Sequence, residues 1–519
     1  MQDELNRGLL VKSMTMVMLA TLASRVLGFF REVAVAYRFG ATTEADAYLV
    51  AILLPTILFY SFSDALKSTF ITVFAPFKGG QDEHHFVNTL AFYTMGVLLI
   101  LALLGYLLAP QLVFLLAPGF TGETFQLTVE LTRILIPGVF FIGLSGLATG
   151  FLHSHQRFIV PALVNVPHNI IVILSALYLS LHYGVYGLAW GSLVAVSSQL
   201  LIQLPSLRRT TFKFRRGLSS QHPGLKKVTA LLPAILLSSA VLELKHILDR
   251  LFASFLQPGS IAALNYAERV YMLPQALFVS TIIVILYPTL VELLGKRDMD
   301  AFNRQIKWGI SMFFFLLLPV MAGMVILRRP LVEVLFQRGA FDGAATDLTA
   351  YALLFYTPAL LGFSLHCFCN RIYFALQDVK TLVKVNISMV AANAVFNLIL
   401  MPFLGHGGIA LGTSLAFSLG AVWLLAILSH RIGISFGDLV QPIYRSTLAA
   451  LIMVAVLLIY LYAWIHLLER PFAGLSVLAS TAFLGAAVYF LSARLLRISE
   501  MNLLLRLVKE YVGRKLKSS

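Results

Sequence analysis

Long apolar stretches recur from one end of the chain to the other, each closed by polar residues or by glycine and proline. A helix that crosses a bilayer needs about 20 mostly apolar residues. The punctuation predicts fourteen such helices, over residues 9–38, 43–77, 84–117, 121–154, 157–182, 186–208, 224–255, 259–292, 303–327, 344–375, 380–402, 407–430, 440–467 and 473–496. Several are longer than one crossing requires, so they are expected to tilt, bend or project beyond the membrane. From Glu500 to Ser519 the pattern changes. Leu503, Leu504, Leu507 and Val508 alternate with Arg506, Lys509, Arg514, Lys515 and Lys517, a basic amphipathic helix suited to a membrane surface.

Composition agrees with a bilayer protein. Hydrophobic residues make up 59% of the chain and charged residues 12%, with a mean hydropathy of +0.85; a soluble domain carries about twice that charge. No polar stretch is long enough for a soluble domain. The start, MQDELNRGLL, leads into an apolar run that is too long for a signal peptide and has no small-residue cleavage site, so the first helix is expected to be retained.

The net charge of +15 does not point to nucleic acid, which would want a basic folded face with exposed aromatics. Lys and Arg collect in cytoplasmic loops of polytopic proteins. The sixth-to-seventh connection holds Arg208, Arg209, Lys213, Arg215, Arg216, Lys226 and Lys227 with no acid. The eighth-to-ninth holds Lys296, Arg297, Arg304 and Lys307. The alternate loops near Thr42, Gly119, His182, Pro258 and Gly405 are almost free of Lys and Arg; the exception, 328–347, mixes Arg328, Arg329 and Arg338 with Glu333, Asp342 and Asp347. Both termini are therefore expected in the cytoplasm.

The chain also reads as an internal repeat. FGATTEADAYLVAILLPTI in helices 1 and 2 and FLQPGSIAALNYAERVYMLPQA in helices 7 and 8 share a Phe, a short turn, a polar cluster and a Leu-Pro, Leu54-Pro55 and Leu273-Pro274. A parallel repeat implies two six-helix lobes, a plan that transporters use to build a site between lobes. The expected division is an N-terminal lobe over 1–215, a C-terminal lobe over 216–435, two extra helices over 436–498 and the basic tail over 499–519.

Charge inside the apolar runs is the main chemical signal. Arg25, Arg31 and Glu32 lie within the first helix, and Arg25 and Glu32, two turns apart, share a face. Each charge costs roughly 2.5–3.5 kcal/mol at mid-membrane, so these groups should face protein or water. The plain alternative is a structural ion pair. Helix 2 adds Asp46, Asp64 and Lys67; helix 7 adds Glu243, Lys245, Asp249 and Arg250, with Lys245 and Asp249 placed as i,i+4 partners. Helix 8 adds Glu268 and Arg269. Convergence on helices 1, 2, 7 and 8 predicts an aqueous cavity, and its excess of arginine suits phosphate, which the guanidinium fork binds bidentately.

Asn165, His168, Asn169, Gln199, Gln203, Asn386, Asn393 and Asn397 are expected to make interhelical hydrogen bonds, with the backbone freed by Pro167 as a partner for His168. Cys367 and Cys369, the only cysteines, diverge on a helix and should pack. No metal set is spaced for binding. No P-loop, HExxH or G-x-S-x-G is present. The expectation is a non-enzymatic secondary transporter or flippase without a cofactor, driven by an ion gradient or the membrane potential.

Five segments together carry a resemblance: SRVLGFFRE with ADAYLVA, LAPGF at 116–120, NYAERV at 265–270, LFQRGAFDGAAT at 335–346 and RIYFALQDVKT at 371–381. In register from helix 1 to about helix 12, the chain resembles the MurJ/MviN family of the MOP superfamily. The resemblance implies an all-α membrane protein with fourteen helices, two six-helix lobes and a last pair forming a lipid-facing groove. It implies a flippase for lipid II, the undecaprenyl-pyrophosphate-linked peptidoglycan precursor, in the bacterial cytoplasmic membrane. It places essential arginines at Arg25, Arg31 and Arg269 and a loop aspartate at Asp46, with Glu32 where the family usually has Asp. Glu268 and Lys67 complete the expected substrate-binding set. Where the family often has an arginine pair after the Leu-Pro of helix 2, this chain has Phe59 and Tyr60, and Lys67 is the only cation.

The expected partners are thus a polyprenyl-pyrophosphate-linked glycan and membrane lipid, with no nucleic acid, for a monomer that works beside other envelope-synthesis proteins. Three other readings stay open at this point: a flippase for exopolysaccharide or other repeat units on the same carrier, a cation or drug antiporter of the MATE type, and a non-transporting envelope scaffold. An antiporter for cations predicts an acidic site, and a scaffold needs no buried arginines.

Overall fold

The computed structural model describes residues 2–80, 82–208, 210, 222–466 and 474–501; the side chains of 2–14, 57–59, 234, 237–242 and 465–466 are outside the description. The centre of the basic loop, 211–221, and the tail beyond Met501 therefore lie outside the described residues. Everything described is helix, turn or connection, with no strand among the described residues.

The principal helices are α1 (Gln2–Phe39), α2 (Thr43–Ala51), α3 (Phe59–Phe74), α4 (Glu83–Leu107), α5 (Gly122–Leu135), α6 (Gly138–Ser154), α7 (Asn165–Leu174), α8 (Ser180–Leu201), α9 (Pro223–Ala253), α10 (Ser260–Pro274), α11 (Ser280–Gly295), α12 (Met299–Ile326), α13 (Arg328–Phe336), α14 (Gly343–Ala375), α15 (Val379–Leu404), α16 (His406–Ile432), α17 (Val440–His466) and α18 (Leu475–Leu495). Among the described residues, eleven helical stretches are long and apolar enough to cross a membrane. One of them, Ile159–Arg208, is 50 residues long and is broken at Gly184, whose φ of 54° and ψ of −140° leave the helix. The long helices α1 and α9 carry more charge than those stretches.

Local chemistry sets the boundaries. Thr42, Asp298, Asp342 and Asp378 accept backbone N–H bonds at the starts of α2, α12, α14 and α15, satisfying donors that the first helical turn leaves open. The run expected over 84–117 divides at Leu108, because Pro110 lacks an N–H and begins a new helix over Ala109–Leu116. Both Leu-Pro pairs mark widened π turns: Leu54–Leu58 contains Pro55, and Gln275–Val279 follows Pro274. A ring that removes an i→i−4 bond is absorbed by a π turn in both places, so the two halves of the sequence repeat share a backbone feature.

The chain forms two compact units. The first comprises residues 1–262 with 338–341, and the second comprises 263–337 with 342–519. In the first unit α3, α4, α6 and the start of α9 enclose a core of Leu66, Phe70, Phe74, Phe86, Phe151, Leu225 and Val228. Phe70 stacks on Phe74 at 4.9 Å and on Phe86 at 5.9 Å between centroids, spacings at which ring pairs add to area burial. This core holds α9 in the first unit.

In the second unit α16 lies against both α14 and α15, with Met389, Ala416 and Phe417 between them. α17 and α18 belong to this same unit and pack on α12. Tyr489 donates to the Phe315 carbonyl at 2.6 Å, Lys307 pairs with Asp438 at 2.5 Å, and Ser311 donates to the buried Glu500. The apolar face of the last two helices is thereby fixed to α12 by polar bonds at separate points.

Candidate functional site

The membrane charges of α1 are held in a specific network. Arg31 is half-buried and Glu32 is 6% exposed. Arg31 Nη2 donates to Glu32 Oε1 at 2.6 Å, and Nη1 donates to Asn169 Oδ1 on α7 at 3.2 Å. Asn169 in turn donates from Nδ2 to the Ser24 carbonyl at 3.1 Å. One amide thus ties α7 to α1 at two places and fixes the guanidinium between them. The charge partner of Glu32 is Arg31, its neighbour in sequence, and Arg25, on the shared face, is exposed. A long guanidinium can fold back over one residue where a helical turn would not place it.

Beside this network the first unit contains a cavity of about 840 Å³, whose polar lining includes Tyr60, Asp64, Lys67, Thr149, Asn165 and Gln199. Arg31 bonds Asn169, one turn along α7 from Asn165 in the cavity wall, so the arginine lies close to the cavity. Gln199 Nε2 donates to the Tyr60 hydroxyl at 2.8 Å and to Asn165 Oδ1 at 3.2 Å. Thr149 donates to Gln203 Oε1, and Gln203 donates to Ser145 Oγ at 2.7 Å. Lys67 pairs with Asp64 at 2.5 Å, so the walls carry one compensated ion pair and otherwise neutral donors and acceptors.

Asp46 performs a different job. It is 3% exposed and accepts from Gly259 N and Ala262 N, both at 2.7 Å. Its two oxygens therefore cap the start of α10, where a carboxylate meets open amides and the positive end of the helix dipole. The surrounding turns are closely apposed. Gly259 has a φ of +86°, and a Cβ there would lie 2.2 Å from the Ala41 carbonyl oxygen; Gly40, with a φ of +61°, faces the Ala340 carbonyl oxygen at 2.4 Å in the same sense. Ala340 N donates to the Tyr37 carbonyl at 2.8 Å, and Gly119 N to Ser254 Oγ at 3.0 Å. Backbone contact at this place admits no side chain at either glycine.

Lys245 and Asp249 on α9 form the expected buried pair at 3.1 Å. Glu268, half-buried, and Arg269, exposed, stand on α10 in the second unit. His168 is buried between α7 and the Ala195 backbone of α8. Asn393 donates to Thr413 Oγ1, and Asn397 to Asn393 Oδ1, both at 3.4 Å. Cys369 is buried and Cys367 half-buried, both free thiols. Among the described residues no group of His, Cys, Asp and Glu is placed to hold a metal.

The second unit has an apolar groove of about 380 Å³ between α12, α17 and α18. Phe315, Pro319, Met453, Leu457 and Gly485 line it. The Tyr489 hydroxyl at its wall is turned to the Phe315 carbonyl, which leaves a surface suited to hydrocarbon.

Tyr60 is the residue of the site that the pattern of charges did not single out; as a phenol in a helix it reads as packing. Asn165, Asn169 and Gln199 were legible as polar residues in apolar runs, but not as partners of the arginine and the cavity.

The family model described as lipid II flippase MurJ matches residues 35–482. A lipid II flippase MurJ of Burkholderia cenocepacia is 30% identical over 491 residues, 91% of this chain and 94% of the relative. A probable lipid II flippase MurJ of Vibrio cholerae is 32% identical over 422 residues, 78% of this chain and 80% of the relative. Among solved structures, a lipid II flippase MurJ in an inward closed conformation superposes with a TM-score of 0.80 at 25% identity, covering 92% of this chain and 98% of the other. A multidrug transporter of the MATE family, inward-facing, shares the fold at a TM-score of 0.68 and 17% identity, covering 80% of this chain and 98% of the other. With its family profile spanning most of its length, this chain belongs to the MurJ family of lipid II flippases.

Proposed function

We propose that the protein moves lipid II from the inner to the outer leaflet of the bacterial cytoplasmic membrane by alternating access. The observation that carries this reading is Arg31, a guanidinium fixed by Glu32 and by Asn169, which stands one turn along α7 from Asn165 in the wall of a cavity of about 840 Å³. A pyrophosphate cannot enter a partly dry site unless fixed positive charge meets it, since the burial of a bare charge costs many kcal/mol. Arg31, Arg25 and Arg269 supply that charge, and Glu32 holds Arg31 while the site is empty. The carrier's hydrocarbon tail lies in the groove of α12, α17 and α18. Relatives named as lipid II flippases support the choice of substrate.

In this reading the basic loops and both termini lie in the cytoplasm, and the turns at Gly40 and Gly259 lie outside. The substrate chain then enters from the cytoplasmic side. The driving force is an ion gradient or the membrane potential, and no step of the cycle makes or breaks a covalent bond. Depletion of the protein from cells tests the substrate: lipid II should accumulate on the inner leaflet. Accumulation of a different lipid-linked glycan, with lipid II still reaching the outer leaflet, would replace this reading by that of another repeat-unit flippase.

A further inference from the structure

We infer that the cavity of the first unit is a subsite for a neutral acetamido sugar, the one bonded directly to the pyrophosphate, and that Tyr60, Asn165 and Gln199 recognise it. The inference rests on the proposed function and names the part of the substrate that this wall reads.

The argument begins with charge. A wall meant for phosphate presents uncompensated cations. Here the lining cation, Lys67, is held by Asp64 at 2.5 Å. The other polar groups are phenol, amide, hydroxyl and the His153 imidazole. Tyr60 faces the cavity with its hydroxyl bonded to Gln199. An anion gains little from such a wall, whereas a sugar with hydroxyls and an acetamido group needs mixed donors and acceptors around an apolar or aromatic surface.

Unsatisfied groups point the same way. Gln199 donates both to the Tyr60 oxygen and to Asn165 Oδ1. Those bonds orient the Tyr60 hydroxyl proton and the Asn165 Nδ2 amide, for neither of which the described residues provide an acceptor. Two donors are thus fixed at one side of an open cavity, set by a buried glutamine behind them. A carbonyl or ring hydroxyl can accept from both. The volume of about 840 Å³ falls in the range of small-molecule sites, roughly 300–1,000 Å³.

Position selects which sugar. Asn169, which holds Arg31, stands one turn along α7 from Asn165 in the cavity wall, and Gln199 joins Asn165 to Tyr60. A pyrophosphate on Arg31 therefore brings its attached sugar to this wall first. The arginines read the anion common to every polyprenyl-pyrophosphate carrier, and the amide-phenol wall reads what is attached to it. Specificity among lipid-linked glycans then resides in Tyr60, Asn165 and Gln199.

The test compares binding of lipid II and of undecaprenyl pyrophosphate, which lacks the sugar, to the purified full-length protein in lipid nanodiscs. Tyr60→Phe removes one hydroxyl, and Asn165→Leu removes the amide; both keep size and helix compatibility. Each should weaken lipid II binding roughly three- to tenfold and leave undecaprenyl pyrophosphate binding unchanged, so that the preference for the glycosylated lipid collapses. Arg31→Ala should weaken both lipids. Equal weakening of both lipids by Tyr60→Phe and Asn165→Leu, or no change in either, would overturn the sugar subsite while leaving the flippase reading intact. A wild-type protein that binds neither lipid above a plain phospholipid would overturn the functional reading and the subsite with it.

Discussion

Arg31 and Glu32 are neighbours in sequence and ion-pair partners in space, with Nη2 and Oε1 2.6 Å apart inside the first long helix. The pair offsets part of the desolvation of both charges, and it leaves the arginine already placed when an anion arrives. Asn169 supports the same guanidinium from α7. Removing Glu32 and removing Arg31 should therefore have different consequences. Glu32→Gln frees the guanidinium and should tighten lipid II binding while slowing release, so transport falls although binding rises. Binding and transport assays on the same preparation separate the two effects. Weaker binding by Glu32→Gln would contradict the holding role.

Asp46 is expected to matter for stability before it matters for substrate. Its two bonds satisfy the buried Gly259 and Ala262 amides, and leaving such a donor unpaired costs roughly 1–3 kcal/mol each. Asp46→Ala should lower the thermal midpoint of the purified protein markedly. Asp46→Asn, which keeps one acceptor oxygen, should fall between. Equal midpoints for wild type and Asp46→Ala would show that the cap contributes nothing.

The groove makes a steric prediction. Ala482 lines it, and Ala482→Trp should fill space meant for hydrocarbon. Lipid II with its full-length tail should then bind several-fold more weakly, whereas an analogue with a two-isoprene tail should bind as it does to wild type. The comparison of the two ligands reads the groove alone, because both carry the same head group. Parallel loss for both analogues would place the tail elsewhere.

Outside the spanning segments, Asp378 gives a pH dependence. It caps α15, and the Thr381 hydroxyl, the Thr381 amide and Arg431 hold its carboxyl below the usual range. A carboxylate lowered on folding contributes stability above its unfolded pKa, near 4, and loses it as pH falls through the folded value. The residue is near the surface, so solvent screens the effect to less than about 1 kcal/mol. Thermal midpoints of wild type should drop more between pH 5 and pH 3 than those of Asp378→Asn. Parallel curves would remove Asp378 from the acid response.

Orientation can be read by labelling. In a background with Cys367 and Cys369 replaced by Ser, Lys296→Cys should react with a membrane-impermeant maleimide only after the cells are opened. His182→Cys should react from outside. Both positions are exposed, and the reverse pattern would invert the topology.

The parts of this architecture that were legible in the sequence are the ones encoded by local spacing. Apolar runs gave the helical stretches, and the four-residue interval between Lys245 and Asp249 gave their ion pair. The Leu-Pro pairs marked the repeat, and a π turn lies at each. The partnerships that build the site are not local. Asn169 is 138 residues from Arg31 and Ala262 is 216 from Asp46; no periodicity along the chain reports which helix packs on which. For the same reason the placement of α9 against Phe86 and Phe151 in the first unit required the structure. Tyr60 was visible only as a residue standing in place of an arginine, since a tyrosine on an apolar helix has the same sequence appearance whether its hydroxyl meets a core or a cavity.

The central claim is that fixed arginines hold the pyrophosphate during transport, and the most direct measurement is the leaflet distribution of lipid II in cells that depend on an Arg31→Ala, Arg269→Ala double variant. Membrane insertion and expression are matched to wild type, and Arg494→Ala, an exposed arginine in the last turn of α18, serves as the control. The account predicts that the double variant retains lipid II on the inner leaflet while the control distributes it as wild type does. Normal flipping by the double variant at equal expression would contradict the arginine-held pyrophosphate and with it the proposed mechanism.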